Sequence, residues 1–208
     1  MSSPLTLSEL KTLIQNYVQN TETTFVATLD DFIKNTEDRI FGLVQFDYFR
    51  KNVKGQVTLG SRFLTTPDDF EQSFSLAVIS SGDYTFLDKK HTSFMQEYCP
   101  DPTDSTKYGL PLYYGDFDKE NYEVELHYLY RPNSLVTDTT GTWISEHARN
   151  ALLYGCLVEA YTFMKGEADL MNLYEQRFNL EILRLKNQAE ARGRRDEYRY
   201  DSLRTSVS

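Results

Sequence analysis

The chain has 208 residues, 40% of them hydrophobic, and a formal net charge of −9. This size and composition predict one domain, with room for an inserted subdomain and a sizeable core. The charge is uneven, because the stretch from Arg177 to Arg204 has eight basic and five acidic residues, net +3, which leaves −12 for the rest. An acidic body argues against a conventional duplex-DNA binder, which needs a basic face for phosphate contacts. A basic tail on such a body is compatible with docking onto an acidic partner.

Cysteine usage and the N-terminal residues bear on the compartment. Cys99 and Cys156 are too few for a disulfide framework and predict a reducing, cytosolic origin. We find no basic segment followed by an apolar run and no membrane span, so we expect neither a signal peptide nor a membrane partner. The chain also has 15 Tyr and 13 Phe. Two explanations stay open: these residues form an interface, or a β-rich segment favours them.

Two amphipathic helices are predicted at the start. The first begins near Ser8, a plausible N-cap, and its apolar residues recur at i, i+3, i+4, i+7 and i+8 over residues 10–18. The second runs over about residues 26–45. The short polar link between them indicates a helical hairpin over residues 1–46.

The pattern then changes to short β-branched and aromatic segments separated by turn signals. Apolar and polar residues alternate in the last of them, which predicts a small, mostly antiparallel sheet with one solvated face. Strands are predicted within residues 53–63 and over 74–80, 84–87, 109–117 and 122–130, with two helical turns over 91–98.

The last third contains the most apolar stretch of the chain, residues 148–164. A helix that is apolar on nearly every face must be buried, so we predict the central helix of the core here. Thr142 or Ser145 would cap its start, and Gly166 would be the C′ residue at its end. A second long helix is predicted over about residues 168–192; its far end has no apolar stripe and is expected to project or to lie against a partner. Small residues along the central helix would let a neighbouring element approach closely: Ala148, Ala151, Gly155 and Cys156.

These elements predict an α+β fold. It would be a helical bundle, built from two N-terminal and two long C-terminal helices, with an inserted small antiparallel β-sheet. The predicted parts are an N-terminal helical hairpin (1–46), an inserted β-rich subdomain (47–135), a C-terminal helical pair that completes the bundle (136–192) and an extended C-terminal docking arm (193–208).

Motifs for catalysis are absent from the sequence. The histidines, His91, His127 and His147, have no zinc-ligand spacing, and no nucleophile elbow or phosphate loop is present. Acid clusters at residues 68–69, 101–104 and 116–120 lack the spacing of a calcium loop, so solvated turns are predicted there. We therefore expect no catalytic residue, no metal and no cofactor.

The basic tail allows two interpretations. It is either a frayed helix end with solvated charge or a docking arm. In the arm, Tyr198, Tyr200 and Leu203 would anchor, and the arginines would pair with acids on a partner. Arg interleaved with Tyr is also typical of nucleic-acid binding, but the intervening acids weaken that interpretation.

Several segments resemble the head-to-tail adaptor (connector) proteins of tailed bacteriophages. The likeness spans most of the chain, and its specificity lies in the order of the segments, since none is chemically diagnostic alone. The segments are FLTTPDDF (63–70), YTFL (84–87), YEVELHYLYRP (122–132), TWI (142–144), ALLYGCLVEAY (151–161), MKGE (164–167) and RGRRDEYR (192–199).

The resemblance implies a structural virion protein without enzymatic activity, made in the host cytoplasm and located at the head–tail junction. Its subunits would form a homo-oligomeric ring, a dodecamer by family analogy. The ring would bind the portal protein, extend the DNA channel, let duplex DNA pass without specific contacts and offer a surface to the next neck or tail protein. The C-terminal segment would reach the portal, and the docking candidates are Arg192, Arg194, Arg195, Tyr198, Arg199, Tyr200, Leu203 and Arg204.

One departure from the family concerns residues 118–121. They alone separate the last two predicted strands, where the family has a further strand-like segment, so either a tight hairpin replaces that segment or the sequence lacks it. Two other functions stay open: a tail-completion or tail-terminator protein and, in a different class, a small metal-dependent hydrolase using the loop acids.

Overall fold

The computed structural model describes residues 4–46, 49–57, 64–80, 82–98 and 122–200, with only the course of the helix for 190–200. The predicted strand 109–117, the acid clusters 101–104 and 116–120, the connection 118–121 and Cys99 lie outside the described residues.

The described residues confirm the predicted α+β fold, with helices at both ends of the chain and an antiparallel sheet between them. The chain divides into two compact units, residues 1–47 with 132–208, and residues 48–131. The helical-bundle arrangement and the four-part division of the chain stay predictions. In chain order the elements are α1 (Leu7–Val18), α2 (Thr23–Leu43), β1 (Arg50–Gln56), β2 (Phe70–Ser80), β3 (Asp83–Phe86), α3 (Thr92–Tyr98), β4 (Glu123–Tyr130), α4 (Trp143–His147), α5 (Arg149–Phe163) and α6 (Ala168–Tyr200).

The cap of α1 differs from the prediction. Thr6, not Ser8, is the N-cap, because only Thr6 has a glutamate three residues later. Its hydroxyl accepts from Glu9 N at 3.3 Å, and the Glu9 carboxylate accepts from Thr6 N at 2.9 Å. This capping box satisfies backbone donors that the helix itself leaves unpaired.

In the first unit, α5 packs against α1, α2 and α6. At Gly155, one of the small residues, side chains of two neighbouring helices approach closely, where the approach of another backbone was predicted. A Cβ atom there would overlap Thr36 Cγ2 of α2 and lie 3.0 Å from Phe178 Cε2 of α6. A carboxylate also lies in this interior: Glu37, 3% exposed, accepts from Leu135 N at 2.9 Å. It thereby ties the segment after the sheet to α2.

The central helix is interrupted where one continuous helix was predicted. Thr142, one of the two predicted caps, forms a capping box with Ser145 at the start of α4. Ala148 then leaves helical geometry (φ −123°, ψ 30°), and α5 begins at Arg149. The helical hydrogen bonds continue across this break, because Ala148 N donates to Ile144 O at 2.8 Å and Leu152 N to Ala148 O at 3.0 Å.

The second unit is a four-stranded antiparallel sheet in the order β1-β4-β2-β3. The predicted strand within residues 53–63 is shifted, because β1 covers Arg50–Gln56. The physical reason is that β1 is exposed along its whole length, so no burial alternation marks it. Its position is set by pairing with β4. β2 also begins four residues earlier than predicted, at Phe70.

The two faces of this sheet differ, as the sequence predicted. One face contributes to an apolar cluster that includes Leu76, Val78 and Val124. The other face exposes Phe74, Tyr84 and Phe86, which are 45%, 49% and 68% accessible.

The turn before β2 is held by Asp69, whose region was predicted to be a solvated turn. The Lys51 ammonium lies 2.5 Å from Asp69 Oδ2, and the Tyr128 hydroxyl donates to Oδ1 at 2.8 Å. The Lys51 hydrogen bond, more than the Tyr128 bond, lowers the pKa of the Asp69 carboxyl. Asp69 is therefore a structural link between the turn and two strands.

Candidate docking surface

The orientation of α6 is set by the turn that ends α5. Gly166 was predicted at C′, but Lys165 occupies that position with φ 54°, and Gly166 is the C″ residue. Lys165 N donates to Thr162 O at 3.2 Å and Gly166 N to Tyr161 O at 2.9 Å, which is the Schellman pattern. Glycine is needed at 166 for space, because a Cβ there would lie 2.6 Å from Tyr161 Cδ1.

One face of α6 is anchored inside the first unit. Phe178, fully buried, lies against Gly155 of α5. The Arg39 guanidinium of α2 stacks 4.4 Å above the Phe178 ring and forms two hydrogen bonds with the Glu175 carboxylate. Such a bidentate, stacked arginine fixes geometry as well as adding charge attraction. The buried stripe of α6 comprises Tyr174, Phe178, Ile182 and Leu185.

The opposite face of α6 exposes three leucines. Leu173, Leu180 and Leu183 are 41%, 59% and 54% accessible. At about 100° per residue, they lie on the side away from the buried stripe. Arg177 and Arg184 flank them. Exposed apolar residues in a contiguous group mark interaction sites more often than scattered ones do.

The C-terminal part of α6 is longer than predicted. The helix ends at Tyr200, with 33 residues, where an end near residue 192 was predicted. The predicted arm is therefore helical, not extended, over 193–200. Residues beyond the apolar stripe still favour helix, because acids and arginines recur at i, i+3 and i+4: Glu190 with Arg194, Arg192 with Asp196, and Asp196 with Arg199.

Six of the eight predicted docking residues lie on one helix, α6. Arg192, Arg195 and Arg199 are at i, i+3 and i+7, positions that share one side of a helix. The six are Arg192, Arg194, Arg195, Tyr198, Arg199 and Tyr200, whereas Leu203 and Arg204 lie outside the described residues.

The histidines have structural neighbours. His147 stacks on Trp143 with ring centroids 4.8 Å apart, and His127 lies 5.9 Å from the Phe74 ring. His91 Nδ1 lies 2.8 Å from the Ser93 hydroxyl. Among the described residues, no group of three or more histidine, cysteine, aspartate or glutamate side chains is placed to hold a metal ion.

An apolar groove of about 740 Å³ lies in the second unit, between the sheet and residues 64–67. Among the described residues, its lining includes Leu64, Pro67 and Leu126 and has Lys54 as its charged residue, with no acidic side chain. Acid-dependent hydrolysis needs converging carboxylates, so this groove does not provide such a site.

Sequence reasoning missed two exposed apolar surfaces, the leucines of α6 and the aromatic residues on the open sheet face. The seven-residue spacing of Leu173 and Leu180 was the available signal on the helix. The exposed side chains of the sheet had no comparable signal, because the same alternation fits a face covered by a partner and a face covered by water.

The sequence of the chain matches a known protein family over nearly its whole length. No helix in the part of the chain that the structure describes is long and apolar enough to cross a membrane. No curated protein matches the chain significantly. The sequence profile of the SU10 adaptor protein family, in contrast, matches residues 5–205. This match covers nearly the whole chain and confirms the resemblance to phage head-to-tail adaptors. The chain belongs to the SU10 adaptor protein family.

Proposed function

We propose that this phage adaptor protein forms a homo-oligomeric ring, a dodecamer by family analogy, at the head–tail junction of the virion. The ring binds the portal protein, extends the DNA channel and offers an attachment surface to the next neck or tail protein. The observation that carries the proposal is the family match over residues 5–205, since it points to a structural protein without enzymatic activity.

The C-terminal part of α6 suits portal docking. α6 has 33 residues and its packing partner α5 has 15, so α6 extends well beyond α5. At 1.5 Å per residue, α6 is about 50 Å long. The basic residues of the chain concentrate toward its end. Arginines and tyrosines on a projecting helix are the residue types that dominate protein interfaces.

The charge of the body suits a DNA channel. The chain outside residues 177–204 carries net −12. An acidic lumen repels phosphates and releases no counterions on contact, so DNA slides without sticking. The basic segment then serves a protein partner.

A binding experiment tests the proposal. Purified adaptor is mixed with purified portal rings, and the complex is measured by mass photometry. We expect a complex with a ring of adaptor subunits per portal. A triple variant, Arg192→Glu, Arg195→Glu and Arg199→Glu, should weaken portal binding at least tenfold, because it reverses three charges along one side of the arm.

The matched control reverses three exposed lysines elsewhere, at Lys34, Lys89 and Lys90, and should bind like the wild type. Circular dichroism checks that both variants keep their helix content. If the arm variant binds the portal as strongly as the wild type, the C-terminal part of α6 does not dock onto the portal. A wild-type protein that stays monomeric in the presence of portal would contradict the ring itself.

A further inference from the structure

One exposed surface of α6 is the leucine face, which we define as Leu173, Leu180 and Leu183 with the flanking Arg177 and Arg184. Its leucines are 41–59% accessible and lie opposite the stripe that packs on α5. Among the residues that the structure describes, no apolar layer covers this face. Helices bury an apolar stripe against another element, and α6 has two such stripes.

The second surface is the aromatic face of the sheet, defined as Phe74, Tyr84 and Phe86 with Glu125. Tyr84 and Phe86 pair with Ile79 and Ala77, and Ala77 pairs with Glu125, so these residues share one face. The register shift between Ser73 and Ser75 brings Phe74 to the same face.

The contacts of Phe74 support this placement. Its ring lies 5.9 Å from His127 and 4.1 Å from the Arg50 guanidinium. In the register of β1 and β4, His127 and Arg50 lie on the same sheet face as Glu125. Three large aromatic side chains are therefore exposed together on a sheet face, which is more than scattered surface apolarity.

Each surface has a charged side chain that can pair with the other, Glu125 on the sheet and the arginines on the leucine face. Glu125 accepts from the Asn52 amide at 3.0 Å and from the Tyr84 hydroxyl at 3.2 Å. Its cross-strand neighbour Lys54 forms its ion pair with Glu123. On the leucine face, Arg177 donates to the Tyr154 hydroxyl at 3.3 Å, again a neutral partner.

The remaining charged residues of the two surfaces have both signs. On the sheet, Lys54 pairs with Glu123 at 3.1 Å, and Arg50 keeps its positive charge while its guanidinium stacks on Phe74. On α6, Arg184 pairs with Glu181 at 2.7 Å, but the Arg184 side chain is 70% exposed, and exposed pairs of this kind exchange readily.

The dimensions also match. From Leu173 to Leu183 the helix rises about 15 Å. On the sheet, Phe74 is three residues from Ala77, the partner of Phe86. That corresponds to about 10 Å along the strand and about 5 Å across to the next strand. One helix of this length therefore covers the three aromatic rings.

We propose that the leucine face of α6 in one subunit packs on the aromatic face of the sheet in the neighbouring subunit. Arg177 and Arg184 then lie against Glu125 of the second copy. Because two different surfaces meet, the contact is heterologous, and a heterologous contact generates a ring when its rotation closes. This inference rests on the proposed ring and names the surfaces that build it.

Disulfide cross-linking in the portal-bound ring tests the contact. The starting variant has Cys99→Ser, and Leu183→Cys and Phe86→Cys are added together in one chain. Mild oxidation should give a ladder of covalent multimers up to the full ring. Chains with only one of the two added cysteines should give no multimer beyond background. A control pair, Leu43→Cys with Phe86→Cys, uses another exposed leucine and should give no ladder.

Three outcomes distinguish a wrong subunit contact from a wrong proposed function. A wild-type ring on the portal without a ladder in the double-cysteine variant overturns the contact and leaves the ring standing. Cross-linked dimers from Leu183→Cys alone overturn it too, because they show α6 meeting α6. No wild-type ring at all contradicts the proposed function itself.

A charge exchange gives an independent measurement without cysteines. Arg177→Glu with Arg184→Glu should lower the fraction of subunits in rings at least tenfold, and adding Glu125→Lys should restore it to within about threefold. Lys186→Glu, on the same helix but outside the leucine face, should leave assembly unchanged. Loss of assembly that Glu125→Lys does not restore would overturn the pairing.

Discussion

Gly155 should resist replacement by alanine even though it lies inside a helix. In an exposed helix interior, Gly→Ala stabilises by about 1 kcal/mol. In α5 the added Cβ would overlap Thr36 Cγ2 and lie 3.0 and 3.2 Å from two atoms of the Phe178 ring. Thr36 and Phe178 are 1% and 0% exposed, so neither moves away easily. Overpacking of a well-packed core costs about 1–3 kcal/mol.

The net expectation for Gly155→Ala is a loss of about 1–2 kcal/mol in the free energy of unfolding, since overpacking outweighs the helix propensity. For a chain of this length the melting temperature falls by roughly 2–4 °C per kcal/mol. Urea and thermal denaturation, followed by circular dichroism, measure both quantities.

Two further variants isolate the cause. Thr36→Ser removes the overlapped methyl group and keeps the hydroxyl, so the double variant should recover about 1 kcal/mol of the loss as a coupling energy. Gly42→Ala, also in a helix, is the control, because a Cβ there meets nothing within 4 Å. It should stabilise. Gly155→Ala behaving like Gly42→Ala would refute the close packing of α2, α5 and α6.

Three other predictions concern the turn, the sheet and the buried thiol. Lys165→Gly should raise the free energy of unfolding by up to about 1 kcal/mol, because glycine adopts a left-handed conformation without steric cost, whereas Gly166→Ala should lower it. Equal effects of the two changes would contradict the Schellman turn. The hydrogen bond from Lys51 lowers the pKa of Asp69 in the folded protein. The ionised Asp69 therefore stabilises the fold fully above the ordinary carboxyl pKa near 4, and this stabilisation is lost as the pH falls through the lower pKa of the folded state. Urea titrations at pH 6 and pH 3 should therefore show a larger loss for the wild type than for Asp69→Asn, and equal losses would argue against the link. Burial raises the pKa of Cys156 to about 12, so in a variant whose other cysteine is serine, a disulfide reagent at pH 8 should label the thiol only after unfolding. Rapid labelling of the native protein would contradict its burial.

The helices followed from the sequence because burial imposes a period that the residues show. In α2 the apolar stripe, which includes Leu29, Phe32 and Ile33, is buried. The apolar stretch of α5 is likewise buried on most sides. No glycine or proline marks the break at Ala148, so the break could not be predicted from local residues.

Elements without burial were harder to place. β1 is an exposed edge strand, and its limits depend on pairing with β4 and not on its own residues. The end of α6 also lies beyond the apolar stripe, where only charge spacing favours helix. The buried carboxylate of Glu37 was missed because a charged residue only interrupts the apolar stripe of α2 in the sequence. In the structure it lies in the interior and accepts a hydrogen bond from Leu135 N.

The candidate docking surface was predictable in part. Composition and order pointed to the basic end of α6 and to the phage adaptors, and the family is confirmed. The leucine face was not predicted, because the buried stripe of the same helix accounted for the apolar residues expected there. Whether a second stripe is exposed depends on which elements pack on the helix, and that requires the tertiary structure.

A reconstruction of the intact virion neck tests the proposed function most directly. We predict a ring of this protein in contact with the portal, with the end of α6 of each subunit directed into the portal and the ring opening continuous with the DNA channel. The next neck or tail protein should lie on the far side of the ring. A ring found at the end of the tail tube, separate from the portal, would identify a tail-completion or terminator protein and contradict the proposed adaptor position.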